Sequence, residues 1–570
     1  MAVLPMVMLL IGSLLAAPAT TAVPSTPQAS LTVYIRQPRA EAAADYAVAV
    51  SDPRSPQYRH FLTPDQYRAR FAPTDATATA VEDYLRGAGL VVEKAPANHL
   101  YVQARGTLAQ VRQAEHAAPA TVTPLIAGIS QPDTAPPMSA LPNATPVTCS
   151  SFSFQHFASL PPAYGRTEFP TQGCGYTPQQ LHDAYDTTGL LSHGIDGRGV
   201  RLAVLLFYPI PTVVDDINRF DTNVGAPPLA PGQLTEVLPS SFVEPPPAAC
   251  PLATSQQEAE GDLETAHDMA PGAQLRYVAA ASCDPQDILA ATNQIVDQHL
   301  ADIVTNSYTL AFASVPAAVQ QAAHQAFVQA AIEGIGLFYG SGDLGDVSPF
   351  LGTPQTTWPE SDPFVTSVGG TSLFIGPDNR RAGEVGWAMT LDPVTDTGYQ
   401  SPVPGTFFLG SGGGITQFAQ PGYQRGVVPP ALAGTTSPRR VVPDIAAEAD
   451  LATPILVGLT FNGSFIEAGG GGTSVSSPLF AGIEALADQA ASGPHGFVNP
   501  LLYQLRGTGA LHDITNVHRP LAMAFELKGT TNLDTLQTDT SLTATPGYDD
   551  QTGLGSPDGA AYVAALATHH

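Results

Sequence analysis

From Tyr176 onward, short apolar runs alternate with helical patterns, and this alternation constrains the fold more than any other feature of the chain. VRLAVLLF, QLRYVAA, ADIVTNSY and GIGLFYGSGD read as strands, while helical periodicity runs through 214–220 and 317–333. Strand and helix in turn predict an α/β body with a mostly parallel sheet. A site is expected at a switch point of such a sheet.

The sequence ahead of that body divides further. Residues 23–117 read as a small α+β unit, with helices at PDQYRARF and ATAVEDYLRGAGL and strands at LTVYIR and at HLYVQARG, ahead of TLAQVRQAEHA. Residues 118–150 are rich in Ala, Pro and Thr with little periodicity, which predicts an exposed, cleavable linker before a body spanning 151–570. Residues 1–22, MAVLPMVMLLIGSLLAAPATTA, have the layout of a secretory signal, an apolar run followed by small residues, although no Lys or Arg precedes it. A secreted, extracellular protein is therefore expected. No other stretch reaches membrane-spanning length.

Four cysteines, Cys149, Cys174, Cys250 and Cys283, suit disulfides in an oxidising compartment. Of the three pairings, Cys149 with Cys174 and Cys250 with Cys283 close the smaller loops at lower entropic cost. Fifty acidic residues against 23 basic ones give a formal charge of −27, which argues against a nucleic-acid partner. An acidic surface sheds charge in acid, so the balance suits work at low pH.

The sharpest local signal is GGGGTSVSSPLFAGIEALA. Gly471 and Gly472 permit close backbone approach just before Ser474, and an apolar helix follows. A serine at the mouth of a helix gains from the N-terminal dipole and nearby N–H groups when an oxyanion forms beside it. The bland alternative is a Gly-rich turn with a capping serine. None of the 14 histidines lies in a segment like H-G-T-H that would supply a base; His267 reads as a solvated or capping residue.

A different base is available. In SQQEAEGDLETAHDMAPGAQLRYVAA, Glu258 and Asp262 stand four residues apart on one helical face. Two such carboxyls can share a proton, and the half-protonated pair can take a serine proton and return it to a leaving amine. Glu260 and Glu264 read as the solvated face of the same helix.

These segments resemble the sedolisins, the serine-carboxyl peptidases. The pattern G-T-S-x-x-x-P ending at Pro478 is shared with subtilisins, but E-x-x-x-D before A-P-G-A is the sedolisin signature, and SGDLG, WPESDPFVTSVGGTSL, GSGGGITQF and RRVVPDIAAEAD follow in the family's order. DPRSPQYRHFLTPDQY resembles the family's activation domain. The resemblance implies a subtilisin-like body behind a ferredoxin-like prodomain that inhibits it until removed. It further implies an acid-active endopeptidase acting on proteins and peptides, with Ser474 as nucleophile, Glu258 as base, Asp262 as its partner and Asp343 as oxyanion stabiliser. A monomer is expected.

The resemblance also implies one Ca²⁺, held by the carboxylates of Asp513 and Asp549 and the carbonyls of Ile514, Thr545 and Gly547, with water. Oxygen donors on flexible backbone suit that hard cation. Three positions depart from the family pattern. Thr545 stands where a glycine is more usual, Leu206 where some members carry an additional Glu, and Thr305-Asn306-Ser307-Tyr308-Thr309 where the family has S-x-S-W-G.

Overall fold

A computed structural model of the chain describes residues 28–132 and 148–569. The expected signal at 1–22 lies outside the described residues, as does much of the expected linker.

Four antiparallel strands form the N-terminal unit, in the order Val91–Lys94, Tyr101–Thr107, Gln28–Ile35, Ile126–Ser130. This is the ferredoxin-like arrangement expected. Alternation sends Leu31, Val33 and Ile35 to one face, where they meet Val81 and Leu85 of helix Asp75–Gly87 and Val111 of helix Leu108–His116. Thr74 and Thr107 cap those two helices through their hydroxyls.

The fourth strand corrects the boundary drawn at 117. Residues 126–130 do not belong to an open linker; they pair with Gln28–Ile35 and cover an edge that would otherwise present unpaired N–H and C=O groups. Ile126 and Ile129 pack on the unit's core, which the weak local periodicity of that stretch could not reveal.

In the body, a sheet runs in the order Arg381–Gly386, Thr366–Ile375, Gly336–Gly340, Ile303–Asn306, Arg201–Phe207, Gln274–Ala280, Leu234–Val237. Only Arg381–Gly386 is antiparallel, and Ile445–Glu448 adds a parallel partner to Thr366–Ile375. The central strands Arg201–Phe207 and Gly336–Gly340 are apolar along almost their whole length, as strands covered on both faces must be. Helices Leu252–Met269 and Thr473–Ala490 pack together on the sheet, and Pro285–Asp297 lies with Ala317–Glu333 as a second pair.

The N-terminal unit rests on that second pair. Asn98 donates to Asn293 (2.7 Å) and Gln329 (2.8 Å), Arg68 pairs with Asp297 at 3.1 Å, and the Leu62 N–H donates to the Ile332 carbonyl. Tyr34 and Tyr101, on the sheet face away from its own helices, join the hydrophobic core of the body. Both expected disulfides are present, Cys149–Cys174 and Cys250–Cys283, and the second ties the chain just ahead of helix Leu252–Met269 to the loop after strand Gln274–Ala280. Among the described residues no helix is long and apolar enough to cross a membrane.

Candidate active site

The helix carrying Ser474 begins at Thr473, directly after the hairpin Ile455–Phe461 and Ser464–Gly470. Gly472 stands ahead of it with φ 95°, and a Cβ there would lie 2.8 Å from Asp343 Oδ2, so only glycine admits this approach. Pro478 sits inside the helix and has no N–H to give the Ser474 carbonyl four residues back. The Ser307 hydroxyl donates to that carbonyl instead, at 3.2 Å. The motif proline thus leaves a carbonyl that strand-end chemistry satisfies.

Glu258 and Asp262 extend from helix Leu252–Met269, and both are buried. A Cβ on Gly482 would come within 2.5 Å of Met269 Cβ, so glycine at 482 lets this helix lie close against the serine helix. The Ser474 hydroxyl bonds the Glu258 carboxyl, whose pKa is nevertheless raised by burial, with the Asp343 charge adding to the rise. Asp262 is raised further, first by burial and then by the charge of Glu258. Contact with the Ser307 hydroxyl works against that rise at Asp262, and the two neighbouring carboxyls titrate together.

Asp343 enters from the loop after strand Gly336–Gly340. Its Oδ1 accepts from the Thr473 N–H at 2.8 Å and the Thr473 hydroxyl at 2.9 Å, and burial still raises its pKa. A carboxyl held neutral can donate to an oxyanion where a carboxylate would repel it. Ser474, Glu258, Asp262 and Asp343, from three separate segments, therefore meet in one place.

Two sequence expectations fail on the same acidic helix. Glu260 and Glu264 are not solvated but 2% and 0% exposed, and His267 is 1% exposed with its Nε2 against the Pro227 carbonyl. Helix Val213–Val224 and the 455–470 hairpin cover that face, bringing Asp216 and Asp221 against it. Spacing along one helix carries no information on what packs over it. Among the described residues, no histidine hydrogen-bonds Ser474.

The residues of the expected calcium site also converge. The Gly547 N–H donates to both oxygens of Asp513 (3.1 and 2.9 Å), with Gly547 at φ 87°. Asp549 is 1% exposed and accepts from the N–H groups of Thr545, Gln551 and Thr552. Burial pushes its pKa up to about 7, and no cationic side chain compensates it among the described residues. Backbone N–H groups of 545–552 thus draw both carboxylates to one turn, and carboxylate oxygens are the donor type that suits a hard cation such as Ca²⁺. Glu484, Asp488 and His495 form a second carboxylate–imidazole group at the far end of the serine helix. It is closed on itself, with His495 Nδ1 at 2.7 Å from Asp488 and the Tyr562 hydroxyl donating to Glu484.

A family profile described as the pro-kumamolisin activation domain matches residues 18–118. Kumamolisin of Bacillus sp. (strain MN-32) is 28% identical over 457 residues, covering 79% of this chain and 72% of that protein. Sedolisin of Pseudomonas sp. (strain 101) is 25% identical over 495 residues, covering 82% and 78%. The chain is thus similar to the sedolisins in both its N-terminal unit and its body. The solved structure of the Pseudomonas sedolisin, a serine-carboxyl proteinase complexed with two molecules of pseudo-iodotyrostatin, shares the fold. Its TM-score is 0.54 at 22% identity, over 68% of this chain and 97% of that one.

The protein is a serine-type peptidase. Sequence reasoning assigned no role to Ser307 or Thr473, which bind the nucleophile's carbonyl and the Asp343 carboxyl. Both stand inside motifs that the sequence already displayed, so the signal was present as position but not as contact. Here the strand Arg201–Phe207 ends with the buried, apolar Leu206 and adds no carboxyl to the pair.

Proposed function

We propose that this protein is a secreted endopeptidase of the sedolisin type, active in acid, that cleaves proteins through an acyl-enzyme after losing its prodomain. The observation that carries the reading is the bond between the Ser474 hydroxyl and Glu258, made beside the protonatable Asp262 and Asp343.

Glu258 takes the Ser474 proton as Oγ attacks the scissile carbonyl carbon. The neutral Asp343 donates to the oxygen that becomes negative. Glu258 then passes the proton to the departing amine as the C–N bond breaks, leaving the acyl group on Ser474 Oγ. Water completes the cycle by the reverse proton path, while the buried Asp262 shares the charge and proton of the pair with Glu258. Ca²⁺, held by Asp513, Asp549 and the carbonyls of Ile514, Thr545 and Gly547, would supply structural charge neutralisation and no chemical step.

Acid hydrolysis of a denatured protein by the acid-incubated precursor, followed from about pH 2 to about pH 8, tests this reading. Activity confined to acid and lost in Ser474→Ala and Glu258→Gln, with both variants folded, is the expected outcome. A neutral optimum, or turnover surviving in Glu258→Gln, overturns it. An N-terminus appearing within 118–150 during incubation, absent in Ser474→Ala, would identify self-processing.

A further inference from the structure

The loop after strand Gly336–Gly340 carries Asp343 and is held from two sides. Thr473 binds the Asp343 carboxyl on one side. On the other, the Gly412 N–H donates to the Gly342 carbonyl (2.7 Å), the Gly410 N–H to the Asp343 carbonyl (2.9 Å) and the Gly345 N–H to the Gly410 carbonyl (3.2 Å). The Asp539 carboxyl is set against this join. A Cβ on Gly345 would lie 2.5 Å from its Oδ1, and one on Gly410 would lie 3.0 Å from its Oδ2.

Asp539 stands in a directed chain of hydrogen bonds. Its Oδ1 accepts from the Thr540 hydroxyl at 2.8 Å, which leaves the oxygen of that hydroxyl to accept the Asp346 N–H at 3.0 Å. The Ser541 hydroxyl donates to the Asp346 carboxyl at 2.5 Å. On its other side, Asp539 Oδ2 accepts from Gln551 Nε2 at 3.1 Å. Gln551 is fully buried; its Oε1 accepts the Ala544 N–H (2.9 Å) and its own N–H donates to Asp549 (2.9 Å). The path thus runs from the turn of Asp549 through Gln551, Asp539 and Thr540 to Asp346, in the same loop as Asp343. Among the described residues, neither Asp539 nor Gln551 hydrogen-bonds Ser474, Glu258 or Asp262.

Under the proposed peptidase reading, on which this inference rests, Asp343 has to donate to an oxyanion, and a displaced donor loses much of that stabilisation. We infer that Asp539, with Gln551 behind it, is a positioning residue for Asp343: it orients Thr540 against Asp346 and fixes the join of Gly345 and Gly410, so that the loop presents its carboxyl in one place. Thr473 holds the carboxyl oxygen, and Asp539 holds the backbone from which that side chain starts. Truncating Asp539 leaves the Thr540 and Gln551 donors without their shared acceptor and opens space beside Gly345, so the loop gains freedom where the oxyanion is bound.

The experiment uses the acid-activated full chain and its Asp539→Ala and Asp539→Asn variants, the second keeping an acceptor for Thr540 while losing the one for Gln551. It measures kcat and KM with one peptide, and inhibition by a peptide aldehyde beside the matching peptide alcohol. Addition of Ser474 Oγ to the aldehyde carbon, with the serine proton passing to Glu258, turns the carbonyl into an oxygen that Asp343 must serve; the alcohol forms no such bond. In Asp539→Ala, kcat should fall by about 10- to 100-fold with KM changed by less than about twofold, and the aldehyde should bind more weakly by a similar factor while the alcohol is unaffected. Asp539→Asn should lie between that variant and the natural chain, and it decides alone if Asp539→Ala does not fold. Unchanged kcat and aldehyde affinity, or a loss shared equally by aldehyde and alcohol, overturns the inference and leaves the peptidase reading standing. A natural chain that cleaves no peptide and binds the aldehyde no better than the alcohol overturns the peptidase reading and the inference with it.

Discussion

The Ser307 hydroxyl reaches the Ser474 carbonyl at 3.2 Å, at the position in the helix where Pro478 has no N–H to offer. The same hydroxyl faces Asp262. One side chain thus joins the backbone of Ser474 to the carboxyl of Asp262.

Replacing Ser307 by Ala leaves the carbonyl and the Asp262 carboxyl without their shared partner. We expect kcat to fall by about 10- to 100-fold and stability by about 1–3 kcal/mol, the cost of an unsatisfied buried group. Steady-state kinetics and denaturant unfolding of the variant check both numbers. Unchanged kcat would show that the contact only supports the fold.

Asp343 must be protonated to donate to an oxyanion, so activity should fail as pH rises through its folded pKa, which burial raises. The acid limb comes from protonation of Glu258. Asn at 343 can still accept from Thr473 and can donate at any pH. The expected outcome for Asp343→Asn is a lower maximum with the alkaline limb of kcat/KM displaced upward, measured with one peptide across the full range. An alkaline limb that stays in place would assign it to another group.

The second acidic cluster predicts how stability follows pH. Glu260 is raised from 4.5 to about 9 by burial and then by Asp216, and Glu264 and Asp268 are raised by burial and by neighbouring carboxyls including Asp221. The folded state therefore binds more protons than the unfolded chain, and stability is fully present below about pH 4.5 and lost as pH rises towards 9. Thermal unfolding should give the highest Tm in acid and a fall through neutrality. Glu260→Gln, which removes one such group, should flatten the fall; an equal slope would place the effect elsewhere.

Calcium removal should destabilise the C-terminal region. Asp549 is buried without a compensating cation, so a chelator should lower Tm by several degrees, and added Ca²⁺ should restore it more effectively than Mg²⁺, which demands a tighter octahedral shell. Asp549→Asn should abolish the response. A Tm insensitive to both chelator and Ca²⁺ would count against a metal at this site.

Much of the body was legible because the strands Arg201–Phe207, Gln274–Ala280, Ile303–Asn306 and Gly336–Gly340 lie in apolar runs set off by helical periodicity. The helix Ala317–Glu333 has the limits that its periodicity predicts. The strand Ile126–Ser130 was not legible, since its residues are half-buried and its pairing partner lies about ninety positions earlier. Glu260 and Glu264 misled for a related reason. Charge in sequence suggests solvent, and only the helix and hairpin laid over that face make it interior.

The sequence by itself carried the alternating architecture, favoured the disulfide pairing and singled out Ser474, Glu258, Asp262 and Asp343 as candidates, because those are matters of residue type, spacing and order. The tertiary structure alone decided the rest: that Ser307 replaces the donor Pro478 lacks, that Thr473 binds Asp343, and that an acid cluster is buried on the helix carrying Glu258. Each depends on groups distant in the chain coming within a few ångströms, and a hydrogen bond or a desolvated charge exists only once packing has brought them there.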